Sequence, residues 1–575
     1  MKFNVKAYDG VNTKIKCNGT EVMFIEVDVN FPEKQVPKMV SIEWVMPAEG
    51  MFSHLNINVL DENNRSLGYD WKNRITKSRF GTGAPVHGII GADNNNKLNI
   101  SLLDAATPIE IKTGIVEEDV TMMCKVQFFT LPVAPIKEYH TTIRIDTRDI
   151  PFYDVYYDVG KWWEENGLPC TYIPETAKLP MYSTWYSFHQ NILPEEILKQ
   201  CKTAKELGME TVIVDDGWQT DNLERGYAYC GDWEPTPSKI ADMKAFVDAV
   251  HNIGMKFILW YAVPFVGKHS KVFDRFKDKF LHYSEENEMG ELDPRYPDVR
   301  KHITDTYAQA VKDWGLDGFK LDFIDSFILS ETSMNYDTRR DIESLENAVE
   351  VLIDEIVTRL KKLNPEILIE FRQQYMGPQI RRFGNMMRAG DCAADPIMNR
   401  CRTITLRLTS GDMAVHSDMI EWSVNDTTEN VARQLYNTVF SVPQISVRFD
   451  ELSREHMKTL KFYLSFWRNN RDVLLNGKMC AFAPQSNFIK AYAEKEDKII
   501  IALYEDKIAD IDKSYSDIII INAGTEDYII VDAKISEKKN YAIYNCMGDI
   551  CSRGHFVLDG VKKIPMPVSG ILEVF

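Results

Sequence analysis

Between residues 175 and 475, short apolar segments alternate with long amphipathic ones. The apolar segments have the length of buried strands, and there are eight of them: 181–188, 210–218, 256–265, 316–325, 366–375, 385–391, 412–418 and 443–450. The intervening segments 194–208, 240–254, 299–315 and 339–363 are predicted helices. In the last of these, one apolar face comprises Ile342, Leu345, Val349, Leu352, Ile353, Ile356 and Leu360. Eight strands alternating with helices predict a (β/α)8 TIM barrel.

Glycines mark the ends of three predicted helices, at Gly208, Gly254 and Gly315. A strand follows each of them directly, and a left-handed C-cap strains glycine least. Before residue 147 and after residue 484, polar and apolar residues alternate with period two, which is typical of antiparallel strands. We therefore expect three domains: an N-terminal β-sandwich with linker (1–174), the (β/α)8 barrel (175–475) and a small antiparallel C-terminal β-sandwich domain (476–575).

Charge and cysteine usage exclude several classes of partner. The chain has 67 Lys+Arg against 85 Asp+Glu, a net charge of −18, which would repel nucleic acid. No apolar run approaches the roughly 20 residues that span a bilayer, and the N-terminus lacks the apolar core of a signal peptide. The ten cysteines show no CxxC spacing. We expect a cytoplasmic protein with reduced thiols and no zinc site; a homo-oligomer is possible, but no interface is readable.

In a barrel of this kind the active site lies at the C-terminal ends of the strands. Reading those positions gives mostly carboxylates and aromatics: Trp185, Asp215, Asp216, Trp218, Trp260, Tyr261, Lys320, Asp322, Asp325, Glu370, Arg372, Gln374, Arg388, Asp391, His416, Asp418, Arg448 and Asp450. Glycine-rich phosphate loops are missing from the late strands. Aromatic faces and carboxylates together favour a sugar pocket, where two further carboxylates could cleave a glycosidic bond.

Two aspartates are candidates for that cleavage. Lys320 precedes Asp322 by two residues and points to the same side of the strand, where its charge favours the carboxylate form of a nucleophile. The alternative is an ordinary ion pair at the barrel end. Asp391, three residues after Arg388, is the candidate acid, and its alternative is a turn or helix-cap residue before Asp395.

The remaining polar positions also have two interpretations. The adjacent Asp215 and Asp216 either start a turn or bind a cluster of ligand hydroxyls. His416 is more often a packing histidine than a catalyst, although His416 and Asp418 belong to the predicted substrate-binding set. Asp322, Asp391, His416 and Asp418 show no close-spaced metal-ligand motif, so we expect neither a metal nor another cofactor.

The segments STWYSF, VIVDDGWQ, CGDWEPTPSKI, GMKFILW, GFKLDFID and MMRAGD resemble, in this order, the α-galactosidase and raffinose synthase group of glycoside hydrolases, the melibiase-like clan that includes glycoside hydrolase family 36. The resemblance covers about residues 175 to 470 and implies a retaining exo-α-galactosidase acting by double displacement on a small carbohydrate.

The resemblance also implies roles for individual residues. Asp322 corresponds to the nucleophile and Asp391 to the acid/base, with Arg388 as the arginine preceding it. Asp215 and Asp216 correspond to the pair holding the sugar 4- and 6-hydroxyls, and Lys320 to the lysine reaching the 3- and 4-hydroxyls. The implied pocket aromatics are Trp185, Trp218 and Trp260.

The chain departs from the family at three places. The third strand ends WYAVPF, without the acidic continuation of bacterial members, and the fifth ends EFRQQYMGP, which puts Arg372 and Gln374 at a position that determines specificity. RAGDC carries one aspartate, which leaves Asp395 as an alternative acid/base. Other functions considered are a raffinose-synthase-like α-galactosyl transferase, an α-N-acetylgalactosaminidase and a non-catalytic carbohydrate-binding barrel.

Overall fold

The computed structural model describes residues 1–58, 65–330 and 332–575. Its N-terminal part is a sandwich of two antiparallel sheets, as predicted. The five-stranded sheet contains, in spatial order, Asn4–Lys6, Val40–Pro47, Thr121–Phe128, Ile109–Val116 and Arg74–Ser78; the six-stranded sheet contains Asn12–Asn18, Val22–Gln35, Ile136–Asp146, Asn96–Leu102, Val86–Ile90 and Ser53–Asn56. Alternate residues of the longest of these strands, including Ile25, Val27 and Val29, are fully buried between the sheets.

A helix at Phe152–Glu165 joins the sandwich to the barrel. Its buried face includes Tyr156, whose hydroxyl donates to the Leu55 carbonyl at 3.0 Å, and Trp163, whose indole N–H donates to the Leu102 carbonyl at 2.8 Å. Since both acceptors lie on or beside strands of the six-stranded sheet, the helix fixes that sheet against the rest of the chain.

The central part is a nearly closed barrel of eight parallel strands. They are Met181–Ser183, Thr211–Val214, Lys256–Ala262, Gly318–Asp322, Leu368–Arg372, Met386–Arg388, Ala414–His416 and Gln444–Ile445. The eighth strand pairs with the first, and a bridge between His416 and Val442 continues the ladder toward the seventh. Each predicted strand segment contains one of these strands, so the predicted barrel is confirmed.

Helices surround the barrel, at Trp185–Phe188, Pro194–Glu206, Met243–Ile253, Phe273–Phe276, Pro297–Trp314, Leu345–Leu363, Pro396–Arg407, Thr428–Tyr436 and Arg454–Asn476. An antiparallel insertion after the third strand contains Phe265–Gly267, Phe280–Ser284 and Met289–Leu292. Gly254 and Gly315 are left-handed C-caps, as predicted. The helix predicted at 339–363 begins only at Leu345, because the Ser344 side chain caps it by accepting from the Asn347 N–H.

The C-terminal part is one eight-stranded sheet. Its path runs Lys478–Phe482, Lys490–Lys495, Lys498–Leu503, Asp517–Asn522, Ile571–Val574, Tyr528–Tyr544 and Ile508–Ile511, with Ile550–Pro565 paired to Tyr528–Tyr544. The prediction of a small antiparallel domain is wrong for two strand pairs, because Lys498–Leu503 pairs in parallel with Asp517–Asn522 and Ile508–Ile511 pairs in parallel with Tyr528–Tyr544. The chain reaches these parallel partners by crossing between distant positions of the sheet, which alternation in sequence does not reveal.

Within the described ranges, every helix is too short or too polar to cross a lipid bilayer.

Candidate active site

Asp322 is the last residue of the fourth barrel strand and is 7% exposed. Its Oδ1 accepts from Arg372 Nε at 2.6 Å and from the Phe323 N–H at 2.8 Å, and the Tyr375 hydroxyl lies within hydrogen-bond distance at 3.2 Å. Its Oδ2 accepts from the indole N–H of Trp260 at 3.0 Å. Burial raises the pKa of Asp322, but the positive charges of Arg372 and Lys320 and these donors outweigh it and hold the pKa well below the usual range. The carboxyl is therefore ionised.

Asp391 follows the sixth strand, and its side chain is 62% exposed. Arg388, the last residue of that strand, donates to Asp391 Oδ1 at 2.9 Å. Partial enclosure raises the pKa of Asp391, but the charges of Arg388 and Lys320 lower it more, so the net effect is a lowered pKa. The charge of Asp322 acts in the opposite direction, which places the two aspartates within electrostatic range of each other.

Asp395, the alternative acid, caps a helix instead. Its side chain accepts from the Met398 N–H at 2.9 Å at the start of Pro396–Arg407. The helix-cap interpretation considered for Asp391 therefore describes Asp395.

The acidic pair after the second strand is buried beside the fourth. Lys320 Nζ donates to Asp215 Oδ2 at 2.6 Å, and these side chains are 5% and 2% exposed respectively. Asp216 accepts from Gln190 Nε2 at 2.6 Å and from Gln219 Nε2 at 2.7 Å. Burial raises the pKa of Asp216 to about 6, against the effect of these amide donors. A turn does begin at Asp216, as one interpretation predicts, and both carboxylates are in addition buried and held by Lys320, Gln190 and Gln219.

The three predicted aromatics differ in position. Trp185 is partly exposed, and the guanidinium of Arg225 lies over its ring at 5.8 Å. Trp260 is 2% exposed and bonds directly to Asp322. Trp218 is fully buried among other aromatic rings, and its indole N–H donates to the Trp260 carbonyl at 3.0 Å. The prediction that Trp218 contacts the sugar is therefore corrected: Trp218 is buried and supports the backbone of Trp260.

His416 and Asp418 are fully buried and do not line the opening. His416 Nε2 lies 2.8 Å from the Ala177 carbonyl, and burial lowers the pKa of the imidazole to about 4. Asp418 forms an ion pair with Arg388 and accepts from the Cys392 N–H at 2.7 Å. Their prediction as substrate-binding residues is corrected: His416 packs inside the barrel, and Asp418 holds the arginine that contacts Asp391.

Sequence reasoning missed several side chains that hold the site. Gln190 and Gln219 orient Asp216, and Gln219 is the last residue of the quoted segment VIVDDGWQ. The ring of Tyr227 lies 5.1 Å from that of Phe323, the residue after Asp322, and burial and the charges of Asp322 and Asp216 raise the pKa of its hydroxyl. Tyr186 donates to Asp418 at 2.9 Å. Gln219 and Tyr186 lie within the quoted segments VIVDDGWQ and STWYSF, whereas Gln190 and Tyr227 lie outside every quoted segment.

No cluster of three or more His, Cys, Asp or Glu side chains suited to a metal ion occurs among residues 1–58, 65–330 and 332–575. All ten cysteines are free thiols. The site presents two carboxyl groups, Asp322 fixed in the ionised state and Asp391 accessible, beside a set of hydrogen-bonding groups.

Residues 177–374 match the family model described as Melibiase. The barrel is melibiase-like. Among curated proteins, an α-galactosidase of Geobacillus stearothermophilus, AgaA, is 27% identical over 139 residues, which are 23% of this chain and 19% of that protein. The α-galactosidase Mel36A of Lactobacillus acidophilus is 28% identical over 145 residues, 25% of this chain and 19% of that protein. The aligned segments thus span about a fifth of the length of these relatives.

Solved structures extend the similarity of fold beyond the barrel. The α-galactosidase of Lactobacillus brevis superposes with a TM-score of 0.69 at 13% identity, covering 98% of this chain and 80% of that one. The structure of AgaA, a family 36 glycoside hydrolase, gives 0.67 at 13% identity, covering 98% and 81%. The predicted resemblance to melibiase-like glycoside hydrolases is confirmed.

Proposed function

We propose that this chain is a retaining, exo-acting α-galactosidase that hydrolyses terminal α-linked galactose from small oligosaccharides or glycosides by double displacement. The observation that carries the proposal is the contrast between Asp322, buried and ionised, and Asp391, accessible and held by Arg388. A retaining glycosidase needs one carboxylate as nucleophile and a second as acid and then base. The α-galactosidase names of the relatives support the choice of sugar.

The hydrogen bonds of Asp322 distinguish its two oxygens. Oδ1 faces three donors, whereas Oδ2 accepts from Trp260. A carboxylate oxygen has two in-plane lone pairs, so one donor leaves Oδ2 with a free lone pair. We assign Oδ2 as the atom that attacks the anomeric carbon, while Arg372 keeps the carboxyl ionised through Oδ1.

The charges around Asp391 suit its change of role during turnover. The exposed carboxyl becomes buried when a sugar covers it, and burial raises the pKa toward the protonated form that a general acid needs. Attack then converts Asp322 to an ester and removes the negative charge that raises the pKa of Asp391. The pKa of Asp391 falls at the step in which it must act as a base toward water.

The sugar hydroxyls would be held by Asp215, Asp216 and Lys320. Lys320 bonds one oxygen of Asp215, and both carboxylates are fixed before a ligand arrives. Groups that are already oriented lose little entropy on binding, which favours a ring with adjacent hydroxyls over a hydrophobic ligand.

A panel of nitrophenyl α-glycosides tests the activity and the sugar together. We expect the α-galactoside to be cleaved fastest, and ¹H NMR of the first product should show the α-anomer, as retention requires. A first product of β configuration would contradict the double displacement. Inactivity on every glycoside, combined with binding of sugars, would indicate the non-catalytic barrel instead.

Two substitutions test the assigned roles. Asp322→Asn should lower kcat by more than about 10³-fold, because a neutral amide cannot form the ester. Asp391→Ala should reduce hydrolysis of unactivated galactosides far more than that of nitrophenyl substrates, whose leaving groups need little protonation. Asp395→Ala is the matched control and should retain wild-type kinetics. Similar losses in Asp391→Ala and Asp395→Ala would refute the assignment of Asp391.

A further inference from the structure

Resting on the proposed function, the geometry points to Arg79 as a positioning residue. Arg79 stands in a tight turn of the N-terminal sandwich, and through it this turn fixes the loop that follows the nucleophile. Arg79 lies directly after the strand Arg74–Ser78. Its Nη1 donates to the Phe327 carbonyl at 2.8 Å and its Nη2 to the Asp325 carbonyl at 2.5 Å. Both acceptors belong to the barrel, about 250 residues later in the chain.

The clamped loop begins one residue after Asp322. Phe323 has φ of 66°, a left-handed conformation that is uncommon for a non-glycine residue. In this conformation its N–H donates to Asp322 Oδ1. A strained backbone persists only where surrounding contacts hold it. Here Arg79 supplies two such contacts, to the carbonyls of Asp325 and Phe327. The arginine therefore acts on the nucleophile through the loop and without touching it.

A second connection runs through Asp325. Its carboxylate lies 3.6 Å from Arg372 Nη2, and the Nε of the same arginine bonds Asp322. Because Arg79 holds the Asp325 carbonyl, it also sets where this carboxylate meets Arg372. Loss of Arg79 would thus disturb both sides of Asp322 Oδ1.

The turn is built to hold Arg79 in place. Arg79 and Thr82 exchange backbone hydrogen bonds at 2.9 and 3.0 Å. Asn58 joins the two segments that flank the turn. Its Nδ2 donates to the carbonyls of Lys77 at 2.9 Å and Ala84 at 3.0 Å, and its Oδ1 accepts from the Ala84 N–H at 2.7 Å. Because these bonds fix the turn, the Arg79 side chain can hold the barrel loop at residues 323–327 in one position.

The turn is in close contact with the barrel loops that follow the fourth and fifth strands. A Cβ added to Gly81 would lie 2.7 Å from the Ile324 carbonyl oxygen, too close for any side chain. The Gly83 N–H donates to the Gln374 carbonyl at 2.7 Å, on the loop after the fifth strand. The same turn thus contacts the loops that directly follow Asp322 and Arg372.

The test uses the full chain with Arg79→Met, and Arg74→Met as the matched control. Arg74 starts the same strand, and among the described residues its side chain bonds to the carbonyl and hydroxyl of Ser66, away from the barrel. We expect Arg79→Met to lower kcat on the nitrophenyl α-galactoside at least 10-fold with KM changed less, and guanidinium ion to restore part of the rate. Arg74→Met should stay within about 2-fold of wild type. Wild-type kinetics in Arg79→Met would overturn the inference.

Hydrogen exchange gives a readout that does not depend on activity. Amides of residues 323–327 should exchange faster in Arg79→Met than in wild type and Arg74→Met, and unchanged exchange there would overturn the inference. If Arg79→Met does not fold, Gly81→Ala disturbs the same contact and should give the same pattern. A wild type without glycosidase activity would refute the proposed function, while the exchange experiment would still decide whether Arg79 holds the loop.

Discussion

The ion pair between Arg372 and Asp322 predicts how activity depends on pH. Arg372→Gln removes a positive charge whose Nε lies 2.6 Å from Asp322 Oδ1 and leaves burial, which raises the pKa of Asp322, less opposed. An arginine at this distance lowers an aspartate pKa by about 1 to 3 pH units. This corresponds to about 1.4 to 4 kcal/mol in favour of the ionised form.

The direction follows from the role of the carboxyl. Asp322 attacks as a carboxylate, so activity is lost when pH falls through its pKa, and a raised pKa moves that loss to higher pH. We expect the acidic limb of kcat/KM in Arg372→Gln to move up by about 1 to 3 pH units. The limb is measured on a nitrophenyl α-galactoside between pH 3.5 and 8, after checking by thermal unfolding that both proteins stay folded.

Arg382→Gln is the matched control, because Arg382 is on the same segment but pairs with Glu350, away from the site. Its acidic limb should superpose on that of wild type. A limb in Arg372→Gln that stays in place or moves to lower pH would refute the electrostatic account of Asp322.

Two further predictions concern buried groups. Asp418→Asn removes the charge that holds Arg388, so hydrolysis of unactivated galactosides should fall at least 10-fold while nitrophenyl substrates are affected less; equal losses on both would contradict this. Burial and the neighbouring His54 hold the pKa of His87 well below its usual value, so the folded protein keeps this imidazole neutral while the unfolded chain binds a proton below about pH 6.5. Stability should therefore fall as pH drops below about 6.5, by up to about 1.4 kcal/mol per pH unit from this group. In unfolding melts, Tm should depend less on pH in His87→Gln, and an unchanged slope would exclude His87 as the cause.

The parts of the site that lie on the barrel strands were predictable, and the reason is geometric. Asp322, Arg372 and Arg388 end their strands, and all parallel strands of a barrel end on the same rim. Strand position does not tell whether a side chain faces the opening or the interior. For that reason the sequence predicts substrate binding by His416, whereas the structure places its imidazole against the Ala177 carbonyl, fully buried.

Contacts between distant segments were not predictable at all. Nothing in the sequence around Arg79 distinguishes it from any other arginine at the end of a strand. Its hydrogen-bond acceptors, the carbonyls of Asp325 and Phe327, come close to it only in the folded chain. The parallel pairs of the C-terminal sheet escaped prediction for the same reason, since alternation reports which face is buried but not which strand is next to it.

The hydrogen bond from Trp260 to Asp322 also has an optical consequence. Its indole is 2% exposed and lies 3.0 Å from Oδ2, the oxygen proposed to become part of the ester. Glycosylation would convert the charged carboxylate that accepts this hydrogen bond into a neutral ester. Tryptophan fluorescence responds to charge near the indole ring, so the emission of Trp260 should change. The chain has 11 tryptophans, so the contribution of Trp260 is the difference in fluorescence between wild type and Trp260→Phe. This difference should follow formation and decay of the covalent intermediate in real time, without a label.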